Sequence, residues 1–128
     1  MSRIQYEHLT RPKEGETMPV ADGITWLRMP LPFSLNHINL WLLRDDNGWV
    51  IVDTGIDTPT SRDVWQVTFD GAMNGEPATH VIATHLHPDH AGCAGWLVRQ
   101  FGVDLWMTRE EYMLCRVLVN DTGHEAPD

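Results

Sequence analysis

The tetrad His85, His87, Asp89 and His90 constrains this chain more than any other feature. Three imidazoles and one carboxylate fall within positions 85–90, directly after the apolar segment 80–84. Isolated histidines are ordinary surface or core residues, and His8, His37, His80 and His124 are read that way. A cluster this dense is read as a metal site, because imidazole and carboxylate suit Zn²⁺ and its borderline neighbours. In an extended segment, side chains at i and i+2 share a face, so His85 and His87 can bind one ion together. Pro88 stops the strand. Asp89 and His90 then project from the start of the following helix, displaced from the first pair. The spacing favours two adjacent ions over one, an arrangement that can hold a bridging hydroxide and polarise a carbonyl or phosphoryl oxygen.

The surrounding pattern is mixed α/β. Residues 1–22 are polar and punctuated by Pro and Gly, an N-terminal arm or lead-in strand, and the domain proper is expected over 23–128. Residues 24–29 read as a strand and 30–37 as a loop. The apolar runs 38–43 and 49–52 flank Asp46-Asn47-Gly48, which predicts a β-hairpin. Asp57, Thr58 and Thr60 are N-cap candidates for a helix to about Phe69. A buried strand over 80–84 delivers the tetrad. From about Ala91, Ala94, Leu97, Val98 and Phe101 share one helical face, and Gly102 is a natural stop. A strand follows over 103–107. Thr108 then caps a last helix, with Glu110 and Glu111 in the first turn, where the dipole favours them. Leu114, Val117 and Leu118 are its expected buried face. Helices on one side of a sheet satisfy this order.

The segment THLHPDHAG, 84–92, matches the HxHxDH signature of the metallo-β-lactamase fold, and IVDTG, 51–55, is similar to that superfamily's strand-end Asp motif. The resemblance runs from about Gly23 to Val119. It implies the N-terminal half of an αββα sandwich, an α/β fold with a mixed sheet and helices on its outer face. It implies that His85 and His87 hold one zinc and that Asp89 and His90 hold a second. Asp89 would also orient the attacking hydroxide, as the catalytic residue. Asp53 would stand behind the ligands, hydrogen-bonding one of them or the turn that holds it. The plainer alternative for Asp53 is a strand-end residue that caps the next turn. In enzymes of this kind the loop equivalent to 32–39 borders the active site, which makes Phe33, Asn36 and His37 candidates for substrate contact. The superfamily includes β-lactamases, thioester hydrolases of the glyoxalase II type, lactonases, sulfatases and nucleases, so fold does not name substrate. The implied function is a dinuclear zinc hydrolase of a small acyl substrate such as a thioester, lactone or β-lactam. The alternatives are a phosphodiesterase or nuclease of the same fold, or a non-catalytic metal-binding domain.

That pattern asks for more ligands than stand here: a downstream His for the first zinc, a bridging Asp and a final His. After His90 the remaining histidine is His124, in a polar tail, and Asp104, Asp121 and Asp128 stand in no strand-end motif. Each zinc would keep two protein ligands where catalytic zinc takes three. The expectation is a truncated domain, inactive alone, whose longer parent is the hydrolase. A net charge of -9 argues against a nucleic-acid partner and gives no attraction to anionic membranes. No apolar run approaches the roughly 20 residues of a membrane span, and no secretory h-region is visible, so a cytoplasmic location is expected. Cys93 and Cys115 are then read as two buried thiols rather than a disulfide, and the six tryptophans as core packing. Strands as apolar as 38–43 and 49–52 are normally covered on both faces, whereas the helices here can cover one. The other face is expected to be covered by a second copy of the chain or by a missing C-terminal half.

Overall fold

Alternating side chains and tight turns put the first strands into an antiparallel meander. The computed structural model describes residues 3–121. The expectations for His124 and Asp128 lie outside them. The strands are β1 (Thr17–Ala21), β2 (Ile24–Pro30), β3 (His37–Asp45), β4 (Gly48–Val52), β5 (Ala78–Ile82) and β6 (Leu105–Trp106). The helices are α1 (Pro59–Asp70), α2 (Pro88–Ala91), α3 (Ala94–Phe101) and α4 (Arg109–Asn120). All six strands form one sheet in sequence order. Pairing is antiparallel from β1 to β4 and parallel from β4 to β6. The switch follows from the connections, since a parallel neighbour requires a crossover and helices supply it here.

Period two sorts the strand residues onto two faces. Leu27 pairs with Leu40, Met29 with Ile38, Leu42 with Ile51 and Ile51 with Val81, all on the face under the helices. They are buried with Trp65, Phe69 and Leu97 in the core. α1 starts at Thr58, whose hydroxyl accepts from Ser61 N at 3.1 Å, and has Pro59 in its first turn. α3 ends at Gly102, φ 65°, a left-handed cap that glycine adopts without a Cβ clash.

The opposite face carries Trp26, Trp41, Leu43, Val50, Val52 and Ile82, each half-buried, beside the exposed Ile24 and Trp106. Trp26 stacks on Trp41 at 6.1 Å, and among the described residues no helix covers this face. The expected strand over 80–84 lies at Ala78–Ile82, because the chain leaves the sheet before Thr84. The strand expected over 103–107 shortens to two residues. The helix expected from Ala91 divides into α2 and α3.

The buried face expected of α4 is overturned. Leu114, Val117 and Leu118 are 48%, 62% and 52% exposed, and α4 buries no residue. Amphipathicity marks the face that gains from burial, not the presence of something to cover it. Cys93 and Cys115 are both free thiols, but Cys115, on α4, is half-buried rather than buried. Among the described residues no helix is long and apolar enough to cross a membrane.

Candidate metal centre

The carboxyl ends of the parallel strands β4 and β5 lie side by side, and the chain leaves each of them in a tight turn. Ligand sites of α/β sheets form at such ends. The turn after β4, residues 53–57, is stitched to the tetrad segment. Thr54 N and Thr54 Oγ1 both donate to His90 O, at 2.7 and 2.8 Å. Cys93 N donates to Gly55 O at 3.0 Å. Gly92 sits where the segments cross, and a Cβ there would meet Pro88 O as well as Asp57 N and Gly55 O, both at 2.8 Å. Only glycine permits that approach. Arg62 grips both oxygens of Asp57 at 2.8 and 3.0 Å, which ties the turn to α1 and holds the Asp57 carboxyl below its usual range.

Asp53 is buried and adopts φ 63°, the left-handed region that few side chains other than Asn and Asp tolerate. Its carboxylate crosses to the tetrad segment and does not cap its own turn. Oδ1 accepts from Thr84 N at 2.7 Å, and Oδ2 lies 2.9 Å from His90 Nδ1. The Thr84 hydroxyl lies 3.0 and 2.8 Å from the two Asp53 oxygens, so its single proton goes there. Thr84 Oγ1 must then accept from His85 Nδ1, 2.9 Å away. Both Nδ1 atoms are thus engaged, His85 on Thr84 Oγ1 and His90 on Asp53 Oδ2, which fixes the two ring orientations.

The rings of the tetrad converge. His85 lies 4.0 Å from His90 and 4.8 Å from His87, centroid to centroid. Asp89, in the first turn of α2, places Oδ2 3.5 Å from His90 Nε2. Among the described residues no group of three or more His, Cys, Asp or Glu is yet arranged to hold an ion. The donor chemistry nevertheless fits zinc: three imidazoles, one neighbouring carboxylate, and a buried carboxylate fixing ring orientation. Burial pushes the neighbouring Cys93 thiol up to about 12, and its Sγ donates to Ile56 O at 3.5 Å.

Of the loop candidates, Asn36 and His37 contact each other, Oδ1 to Nδ1 at 2.8 Å, and His37 Nδ1 lies 3.1 Å from Arg28 Nη2. Phe33 is 59% exposed at the loop tip. Thr84 escaped sequence reading, since a threonine beside a histidine carries no distinguishing signal. Glu111 was read only as a dipole residue, yet Oε2 accepts from Leu86 N at 2.7 Å, between two of the tetrad histidines.

Comparison with known proteins adds an independent line. A family model described as the metallo-beta-lactamase superfamily matches residues 34–122. The acyl-coenzyme A thioesterase MBLAC2 of Gallus gallus is 30% identical over 79 residues, covering 58% of this chain. This chain spans 28% of the length of that relative. A beta-lactamase domain protein from Burkholderia ambifaria superposes with a TM-score of 0.81 at 48% identity, over 87% of this chain and 37% of that one. The metallo-beta-lactamase FIM-1 from Pseudomonas aeruginosa, solved in a mono-zinc form, superposes with a TM-score of 0.67 over 84% of this chain and 48% of that one. At 16% identity that likeness is one of fold.

Proposed function

This chain belongs to the metallo-beta-lactamase superfamily, and from that premise we propose that it supplies the first ligand cluster of a zinc hydrolase acting on a small acyl thioester. The observation that carries the reading is the convergence of the His85, His87 and His90 rings beside the buried Asp53 carboxylate. The similarity to a protein named an acyl-coenzyme A thioesterase favours a thioester over a lactone or a β-lactam. In this proposal His85 and His87 hold one ion, and Asp89 with His90 holds a second. Bound zinc would supply Lewis-acid polarisation of the scissile carbonyl. Asp53 and Thr84 keep two imidazoles in the ligating tautomer, and Asp89 orients the attacking water. Further ligands would come from a longer polypeptide, and the chain alone would bind metal without turning over substrate.

Zinc competition titration of the purified chain, parent against His85→Ala with His87→Ala, tests the site. Stoichiometric uptake lost in the double variant is expected, and a parent that takes up no zinc sinks the assignment. In the complete polypeptide, an acyl-coenzyme A, a β-lactam and a lactone compared side by side test the substrate. Asp89→Asn should there cut kcat by 10²-fold or so with little change in KM, because orienting a nucleophile matters most in the transition state. An unchanged kcat with raised KM would make Asp89 a binding residue only.

The half-bare sheet face bears on partners. A contiguous apolar patch beyond a few hundred Å² is unusual on a soluble monomer. The chain produced alone is therefore expected to cover this face with a second copy of itself. Light scattering with intact mass checks it, and a stable monomer with no bound fragment is the contrary result.

A further inference from the structure

The Glu111 side chain is not where helix capping alone would put it. Thr108-Arg109-Glu110-Glu111 is a Thr-x-x-Glu sequence, in which the Glu normally reaches back to the N-cap backbone N–H. Thr108 keeps its half of that exchange, accepting from Glu111 N at 3.3 Å. The Glu111 carboxylate leaves its own helix instead and accepts from Leu86 N at 2.7 Å. Leu86 is the residue between His85 and His87, so the bonded peptide sets the spacing of the two imidazoles. The reach is built into the sheet. β5 and β6 are parallel neighbours, and Ala83 N donates to Trp106 O at 2.9 Å. The tetrad segment and the N-terminus of α4 therefore leave adjacent strand ends.

We infer that Glu111 is a positioning residue for the tetrad, a clamp from α4 on the peptide between His85 and His87. A hydrogen bond to an ionised acceptor is among the stronger ones, and apart from Glu111 and the half-buried Cys115 the residues of α4 are exposed. The bland account, a carboxylate favoured by the helix dipole, applies equally to Glu110, which is exposed in the same turn. Glu110 is thus a built-in control. The inference rests on the zinc reading above.

The test compares the parent chain with Glu111→Ala, Glu111→Gln and Glu110→Ala in three measurements: zinc affinity, the visible spectrum of the cobalt-loaded chain, and hydrogen exchange at the Leu86 amide without metal. Glu111→Ala should weaken zinc binding about 10–100-fold, the usual cost of losing a residue that supports a ligand. It should also alter the cobalt bands and speed Leu86 exchange at least about tenfold, as expected for an amide losing a charge-assisted partner. Glu111→Gln keeps an acceptor oxygen and should restore the spectrum and most of the affinity. Glu110→Ala should match the parent throughout. The clamp is overturned if Leu86 exchanges as freely in the parent as in Glu111→Ala, or if Glu110→Ala costs as much as Glu111→Ala. Should Glu111→Ala fail to fold, an unprotected Leu86 amide in the parent still overturns it. A parent that takes up no zinc would sink the metal reading instead, a result the exchange measurement tells apart from a failed clamp.

Discussion

Asp53→Asn is expected to leave the fold standing and to weaken zinc binding by about 10–100-fold. The backbone at Asp53 has φ 63°, a region that Asn tolerates as well as Asp. Thr84 N can only donate, so the Asn oxygen must take the place of Oδ1 opposite it. The amide nitrogen then faces His90 Nδ1, where the carboxylate Oδ2 had accepted. Two donors cannot share that contact, so Nδ1 must lose its proton and Nε2 must carry it. A protonated Nε2 cannot ligate a metal. The substitution thus changes the tautomer of one histidine and little else, while Asp53→Ala would remove every acceptor and strain the turn. Nitrogen chemical shifts of the histidine rings read the tautomer, a thermal melt reads the fold, and competition titration reads the affinity. Zinc affinity within about twofold of the parent, with the tautomer unchanged, would show that Asp53 only holds a turn.

The readable parts of this molecule are those whose physics is local. The tetrad stood out because four ligand-type residues crowd into six positions, and the rings do meet, although residues 84–86 bend out of the sheet instead of extending to Pro88 and His85 lies nearer to His90 than to His87. The hairpin over β3 and β4 was readable because a turn sequence stands between two apolar runs. What escaped depends on contacts far apart in sequence. Thr84 matters because Asp53 arrives from the neighbouring strand. Glu111 matters because β6 docks beside β5 and sets α4 at the end of the tetrad segment. Local rules assigned Glu111 to the helix dipole, an account that needs no second strand. The α4 stripe failed for a related reason: Leu114, Val117 and Leu118 have helical spacing, but nothing among the described residues lies over them. The division of α2 from α3 falls where Cys93 N leaves the helical ladder for Gly55 O, a partner no periodicity reveals.

Trp65→Ala should have the largest effect on stability of any single change in α1. The Trp65 side chain is fully buried and stacks on Phe69 at 5.8 Å between centroids. Phe69 in turn meets Phe101 and Trp96 at 5.0 and 6.0 Å, so the indole anchors the aromatic layer between α1 and α3. Removing a buried aromatic side chain typically costs about 3–5 kcal/mol. The indole N–H also donates to Thr54 O at 2.7 Å, and leaving that carbonyl unpaired adds about 1–3 kcal/mol. A domain of this size has about 5–15 kcal/mol in total, so the variant should be largely unfolded or melt far lower. Urea titration measures it, with Val67→Ala, 68% exposed on the same helix, expected within about 0.5 kcal/mol of the parent. Trp65→Phe keeps most of the packing, loses the hydrogen bond and should fall between. That intermediate variant matters for function, because Thr54 N and Thr54 Oγ1 are the donors that hold His90 O. A chain that stays folded with Phe at 65 should therefore bind zinc more weakly than its stability alone predicts. If Trp65→Ala costs less than about 1 kcal/mol, the indole does not anchor the layer, and the link from core to metal centre fails with it.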